Sequence, residues 1–395
     1  MVEATRTPER ERLLANVQAI APVLAEHAQK SERIRRLATE SVEAMRDSDL
    51  FRCASPTEVG GLDADPLTQI EVYEAVTAID GAAGWNLMIG AISAEMIASR
   101  VGDDEADEIF GGSQWPILAG LVWPRGKAKP TKGGYQVSGR WSFGSGIHQS
   151  DWVYGGTLVI EDGKPKAGPD GNPAPYICVV PRSEVTIHDN WHVAGLRGTG
   201  SCDYSIENAF VPTGRFNSPV AGATRRGAAW ARLPGPLVSG AGHAGFALGI
   251  SKGVLSHLET VVAPASRSMT QSTIGGRESF QLELGRKTMA YDAARSLVLD
   301  AHRDLWETAC SGAIPSPNQV SRMRVSALYA TEIAVEIAQF GYKSAGSSAL
   351  FETSPIQRAL RDILAAQQHI FVRETAYVDL AKARIEGAKK DHAAR

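Results

Sequence analysis

The spacing of hydrophobic residues changes twice along this 395-residue chain. From about Pro8 to Ile109 apolar positions recur every three or four residues, as in Leu13, Leu14, Val17, Ile20, Val23 and Leu24, the period that gathers side chains on one helix face. That predicts a helical layer. Within it the stretch Ser55 to Asp65, SPTEVGGLDAD, carries paired glycines that stop one helix and acids that are placed to cap the next. From about residue 113 to 218 the texture becomes short β-rich runs separated by turn residues: GGYQVSGRW, SDWVYGGTLVI, APYICVVP, VTIHDNW and CDYSIENAFVP. After the segment Ala221 to Pro236, long helical patterns return through Gly249–Thr260, Phe280–Ala309, Pro317–Phe340 and Pro355–Lys389. The expected organisation is three domains, 1–112, 113–220 and 221–395, with no internal repeat.

Composition narrows the function classes. Hydrophobic residues at 43% and charged ones at 22% are those of an ordinary folded protein. Lys and Arg number 41 against 44 Asp and Glu, and no basic run interleaves with aromatics, so a broad cationic face for nucleic acid is not expected. No long uninterrupted apolar window and no signal-peptide core are present, which predicts a soluble, cytoplasmic protein with no membrane partner. Cys53, Cys178, Cys202 and Cys310 lack metal-cage or disulfide-framework spacing, so no metal is expected.

Four segments, in order, carry a family resemblance: Leu50 to Trp85, with its Pro, Gly-Gly-Leu and Gly-Trp; GGYQVSGRWSFGSGIHQSDWVYGG; WHVAGLRGTGSCDYSIENAFVP; and SAGSSALFETSPIQRALRDILAAQQH with its Arg-Asp pair. Together they resemble the acyl-CoA dehydrogenase superfamily. The resemblance implies an α+β fold with an N-terminal α-helical domain, a central β-barrel-like domain and a C-terminal four-helix bundle, assembled as a homotetramer. Many dehydrogenases of that superfamily carry a catalytic Glu in a Tyr-Glu-Gly-Thr stretch beyond the Arg-Asp pair. Here the place after Arg361 and Asp362 reads QQHIFV, and the TEPxAGSD-like stretch is replaced by ILAGLVWPRGKAKPTKGG. What remains is similar to the flavin-dependent monooxygenase branch, the oxygenase halves of two-component systems. The implied reaction takes reduced FMN, or FADH2, from a separate NAD(P)H-dependent reductase, forms a C4a-hydroperoxide with O2 and hydroxylates a small aromatic or heteroaromatic substrate. The alternative is oxidation of an acyl thioester, with Glu283 as the rival base.

By that resemblance, Trp141 is expected against the flavin ring, with Ser142, Phe143 and Ser145 near its N5/O4 edge; the plain reading is a β-turn with a buried Trp. Ser145 is expected to donate to N5 or to the peroxide. His369, standing near the missing carboxylate, is expected to act as acid/base, since an imidazole titrates close to neutrality; a core histidine is the alternative. Arg267 (or Arg277) and Gln281 fall where a degraded Arg-x-x-Phe-Gly…Gln motif would meet flavin phosphate. Gly346 falls in a loop that resembles the one touching the flavin of a neighbouring subunit. His148 reads as a turn-exposed residue, and Arg361 with Asp362 as a structural ion pair or surface cap.

Overall fold

The computed structural model describes residues 7–168, 171–218, 224–233, 235–266 and 273–393. The chain opens with helices α1 (Pro8–Ile34), α2 (Thr39–Asp47), α3 (Pro66–Ile79), α4 (Gly81–Ala98) and α5 (Asp103–Phe110). Capping explains two of these starts. Asp65 accepts from Leu67 N (2.9 Å) and Thr68 N (3.1 Å) with Pro66 in the first turn, and Asp80 accepts from Ala83 N (3.2 Å). The acid cluster of the SPTEVGGLDAD loop therefore contributes its last member, Asp65, as the cap.

Strands β1 (Leu118–Thr131), β2 (Gly134–Gly144), β3 (Trp152–Glu161), β4 (Lys164–Pro165), β5 (Pro175–Pro181), β6 (Val185–His188), β7 (Cys202–Pro212) and β8 (Phe216–Asn217) form one sheet in the order β6-β7-β2-β1-β3-β5-β8, with β4 on β3. The β1/β3 pair is parallel and the rest are antiparallel. Val137, Trp141, Val153, Cys178, Tyr204 and Ile206 of this sheet pack into one buried core. The β1/β2 register runs from Thr131 opposite Gly134 to Lys127 opposite Ser138. The β1/β2 pairing ends there, while β1 stays paired with β3 as far as Leu118 and β2 with β7 as far as Gly144. A bulge between Leu121 and Pro124 leaves Val122 and Trp123 exposed, Trp123 at 58%.

Helices α6 (Gly235–His257), α7 (Glu278–Cys310), α8 (Pro317–Ala345), α9 (Pro355–Ala366) and α10 (Thr375–Ala393) complete the chain. α8 packs on α6, α7, α9 and α10, while α6 lies against α3 and α4, so both helical segments share one continuous core. Close approach is permitted by glycine: a Cβ at Gly245 would stand 2.8 Å from Ile70 O, and one at Gly249 2.6 Å from Glu74 O. Among the described residues no helix is long and apolar enough to cross a membrane, and no cluster of three or more His, Cys, Asp or Glu side chains is placed to hold a metal.

Candidate active site

The turn that ends β2 is held in a strained shape. Phe143 has φ of +60°, uncommon for a residue with a Cβ, and Ser145 N donates to Phe143 O at 2.8 Å. Gly146, at φ +76°, follows and donates its N–H to Thr199 O at 3.1 Å. This leaves the Phe143 ring 63% exposed, edge-on to Trp191 at 6.3 Å, and points the Ser145 hydroxyl inward. There the Ser145 Oγ accepts from Trp85 Nε1 (3.2 Å) on α4 and lies 2.7 Å from Ser201 Oγ.

Trp85 also faces two imidazoles. Its ring stands edge-on to His369 (5.9 Å) and to His243 on α6 (5.6 Å), and the two histidines lie 4.3 Å apart. His243 is stacked on Phe371 at 5.0 Å. His369 caps the short turn Ile370–Val372, its Nδ1 accepting from Phe371 N at 3.2 Å. That bond fixes the neutral tautomer, with the hydrogen on Nε2 and free to be donated. Burial pushes the His369 imidazole down to about 4, and burial followed by the neighbouring His369 pushes His243 well below the usual histidine range. Both rings are neutral at neutral pH.

The Arg-Asp pair of α9 is not an ion pair. Asp362, fully buried, accepts from Leu196 N at 2.6 Å, and burial pushes its carboxyl up to about 7. Arg361 binds Glu32 at 2.6 Å and donates to Ala194 O. The two side chains clamp the loop 194–201, where Gly195 sits so close that a Cβ would be 1.8 Å from Arg361 O.

Trp141 departs from expectation. It is fully buried inside the sheet, with Nε1 donating to Gly156 O (2.8 Å), its ring stacked on Tyr204 and cradled by Gly126, Gly139 and Gly155, where added Cβ atoms would stand 2.4–2.7 Å away. No face is left for a flavin ring, so the buried-Trp reading holds for Trp141. Ser145 keeps its place in the cluster, its Oγ accepting from Trp85 Nε1 and lying beside Ser201 Oγ. His369 is a partly buried neutral imidazole whose Nδ1 is occupied by the Phe371 N–H. His148 is half-buried, 3.5 Å from Cys202 Sγ.

Ser142 and Phe143 lie at the turn beside Ser145, whereas Gln281 and Gly346 stand apart from it. Gln281 is exposed and donates to Gly275 O (2.8 Å), and Gly346 lies past the end of α8. Gln281 is 21 positions from His302, where α7 meets α6 at Gly240, a separation of about 30 Å along a helix. Arg267 lies outside the described residues. The rival carboxylate Glu283 pairs with Arg286 (2.6 Å) on the outer side of α7.

Sequence reasoning did not single out His243, or Trp85 and Trp123 as more than wall material. His243 sits in the small-residue run SGAGHAGFALG, a visible signal of tight helix packing, but only the packing itself turns its ring toward Trp85.

Family models for the acyl-CoA dehydrogenase N-terminal domain and the acyl-CoA dehydrogenase C-terminal domain match residues 7–110 and 241–374. The chain is 27% identical to a pigment production hydroxylase of a Rhodococcus species, over 92% of this chain and 93% of that protein. It is also 27% identical to the flavin-dependent monooxygenase oxygenase subunit HsaA of Mycobacterium tuberculosis, over 91% and 92%. Among solved structures, 3-HSA hydroxylase from Rhodococcus sp. RHA1 superposes with a TM-score of 0.85 at 25% identity, covering 95% of this chain and 97% of that one. The chain belongs to the acyl-CoA dehydrogenase superfamily and, within it, to the flavin-dependent monooxygenases.

Proposed function

We propose that the protein is the oxygenase component of a two-component system that hydroxylates a small aromatic or heteroaromatic compound. It takes reduced FMN, or FADH2, from a separate NAD(P)H-dependent flavin reductase in the cytoplasm. The observation that carries this reading is the indole of Trp85, which gathers the Ser145 hydroxyl and the neutral pair His369/His243 into one buried site. Such a site lacks the ionised carboxylate that carbon-acid chemistry on a thioester needs. The nearby Asp362 is turned onto Leu196, and Glu283 faces outward with Arg286.

The residues present fit a flavin. Phe143, exposed at the end of β2, and Trp123, exposed at the β1 bulge, offer flat apolar surfaces suited to a planar ring, and Ser145, two residues past Phe143, offers an accepting oxygen. Reduced flavin, when bound, supplies the activation of O2 and the transfer of one oxygen atom. Ser145 would accept a hydrogen from the N5 edge of a bound reduced flavin, and Ser142 and Phe143 shape the turn that presents it. His369 holds a proton at Nε2 and donates it toward the reacting oxygen. Phe371 and Trp85 wall the space against water. Gln281, Gly346 and Arg267 serve the flavin of a neighbouring copy, a reading supported by the distance of Gln281 from the cluster. Exposed Leu282 and Met289 on α7 and Val378 and Ile385 on α10 support burial in a homotetramer.

The test supplies chemically reduced FMN or FADH2 to the purified protein with a panel of phenols and indoles. Substrate-dependent O2 uptake with a hydroxylated product is the expected result. Anaerobic bleaching of bound oxidised flavin by acyl-CoA thioesters, without such uptake, overturns it.

A further inference from the structure

The hydroxyls behind Ser145 form a chain whose direction is set by counting hydrogens. Thr199 Oγ1 lies 2.7 Å from the carbonyl of Leu196, which can only accept, so the single hydrogen of Thr199 is spent there. Ser201 Oγ, 2.7 Å from Thr199 Oγ1, must then donate to it. Ser145 Oγ, 2.7 Å from Ser201 Oγ, must in turn donate to Ser201. Its remaining protein contact, Trp85 Nε1–H, occupies one lone pair. Ser145 therefore meets a ligand with one lone pair and no hydrogen.

The anchor of this chain is rigid. Leu196 is itself left-handed (φ +54°); its carbonyl also accepts from Trp191 Nε1 (3.0 Å), and its N–H is held by buried Asp362. Ser145, Thr199 and Ser201 are all buried, so bulk water does not randomise the hydrogens.

We propose that Thr199 and Ser201 are positioning residues that make Ser145 an obligate acceptor, so that the site discriminates between the redox states of its flavin. Reduced flavin carries a hydrogen at N5 and matches the lone pair. Oxidised flavin presents a lone pair at N5, which faces the lone pair of Ser145 and goes without a donor. Product flavin is thereby released and reduced flavin retained, as suits an oxygenase resupplied by a separate reductase. The inference rests on the reading that the N5 edge meets Ser145.

The test is anaerobic titration of the full-length protein with oxidised and with dithionite-reduced FMN, repeated with FAD, comparing the ratio of the two Kd values across variants. Ser201→Ala and Thr199→Val each release the hydrogen of Ser145 to face the ligand. The preference for reduced flavin is expected to fall about tenfold, mainly through tighter binding of the oxidised form. The midpoint potential of bound flavin then falls by about 30 mV for the two-electron couple, a second readout independent of turnover. Thr199→Ser keeps the hydroxyl and is expected to keep the wild-type ratio. If Ser145→Ala changes flavin affinity while Ser201→Ala and Thr199→Val leave the ratio at its wild-type value, the relay is wrong and the site stands. If Ser145→Ala changes neither affinity, flavin does not meet Ser145 and both readings fall.

Discussion

The indole N–H of Trp85, on a helix of the first layer, donates to the hydroxyl of Ser145, on the turn that ends a strand of the sheet, at 3.2 Å. One hydrogen bond thus fixes the seam between helices and sheet at the point where the chemistry is placed. Trp85→Phe keeps most of the ring packing against Phe246 and the two histidines but removes the donor. The expected outcome is a several-fold drop in product formed per O2 consumed, with the balance appearing as hydrogen peroxide. Unchanged coupling in this variant would show that the bond does not position Ser145.

Burial of neutral histidines has a cost that appears on acidification. Burial pushes both His302, fully buried with Nδ1 donating to Val298 O (2.8 Å), and His369 down to about 4. An unfolded histidine takes up its proton near the ordinary 6.5, the folded ones only near 4, so stability is full above about 6.5 and is lost as pH falls to about 4. His302 alone accounts for about 3 kcal/mol across that window. Thermal melts between pH 7 and 4 should show this acid limb, and His302→Gln should flatten it by close to one proton.

Asp362 has the opposite sign. Its carboxyl is raised to about 7 by burial, so the folded state binds a proton more readily than the unfolded chain, and the group favours folding below the ordinary carboxylate range and loses that contribution as pH rises through 7. Asp362→Asn retains an acceptor for Leu196 N–H without the buried charge. This variant should match or exceed the wild-type melting temperature at pH 8 and lose the advantage on acidification to pH 4. Asp362→Ala removes the clamp and should destabilise at every pH.

Much of the fold was legible because period is a property of sequence: the change from helical to alternating spacing and back marks the α, β, α order. Ser145 and His369 stood out for similar reasons, one in a Gly-rich turn and the other where a carboxylate was missing. Trp141 misled because a tryptophan between strand residues looks alike whether it faces a ligand or a core. What decides is Gly126 and Gly155 on neighbouring strands, whose missing Cβ atoms leave the space its ring fills. His243 and the hydroxyl chain were illegible because they join residues 85, 145, 199, 201, 243 and 369, and no local pattern encodes which faces meet.

The glycine cradle of Trp141 separates stability from cofactor binding. A methyl at Gly155 would stand 2.6 Å from the indole, so Gly155→Ala should cost about 1–3 kcal/mol by overpacking. Trp141→Phe should cost about 2 kcal/mol through the cavity and the orphaned carbonyl of Gly156. Both variants should bind reduced flavin with the wild-type Kd at a temperature where they remain folded. A selective loss of flavin affinity in Trp141→Phe would return that ring to the binding surface.

His243 is sandwiched between the rings of His369 and Phe371 with Trp85 at its edge, and is nearly fully buried. A phenylalanine of similar breadth would preserve those stacking contacts while removing two nitrogens and leaving His369 as buried as before. Because burial is what lowers His369, His243→Phe should leave the His369 pKa near 4. The acid limb of the coupling profile, expected near pH 4 in the wild-type protein, should stay there, with the melting temperature at pH 8 little changed. Titration of the His369 ring by NMR measures the first and product yield against pH the second. A His369 pKa that rises toward 6.5 in this variant would show that His243, and not burial, holds it down.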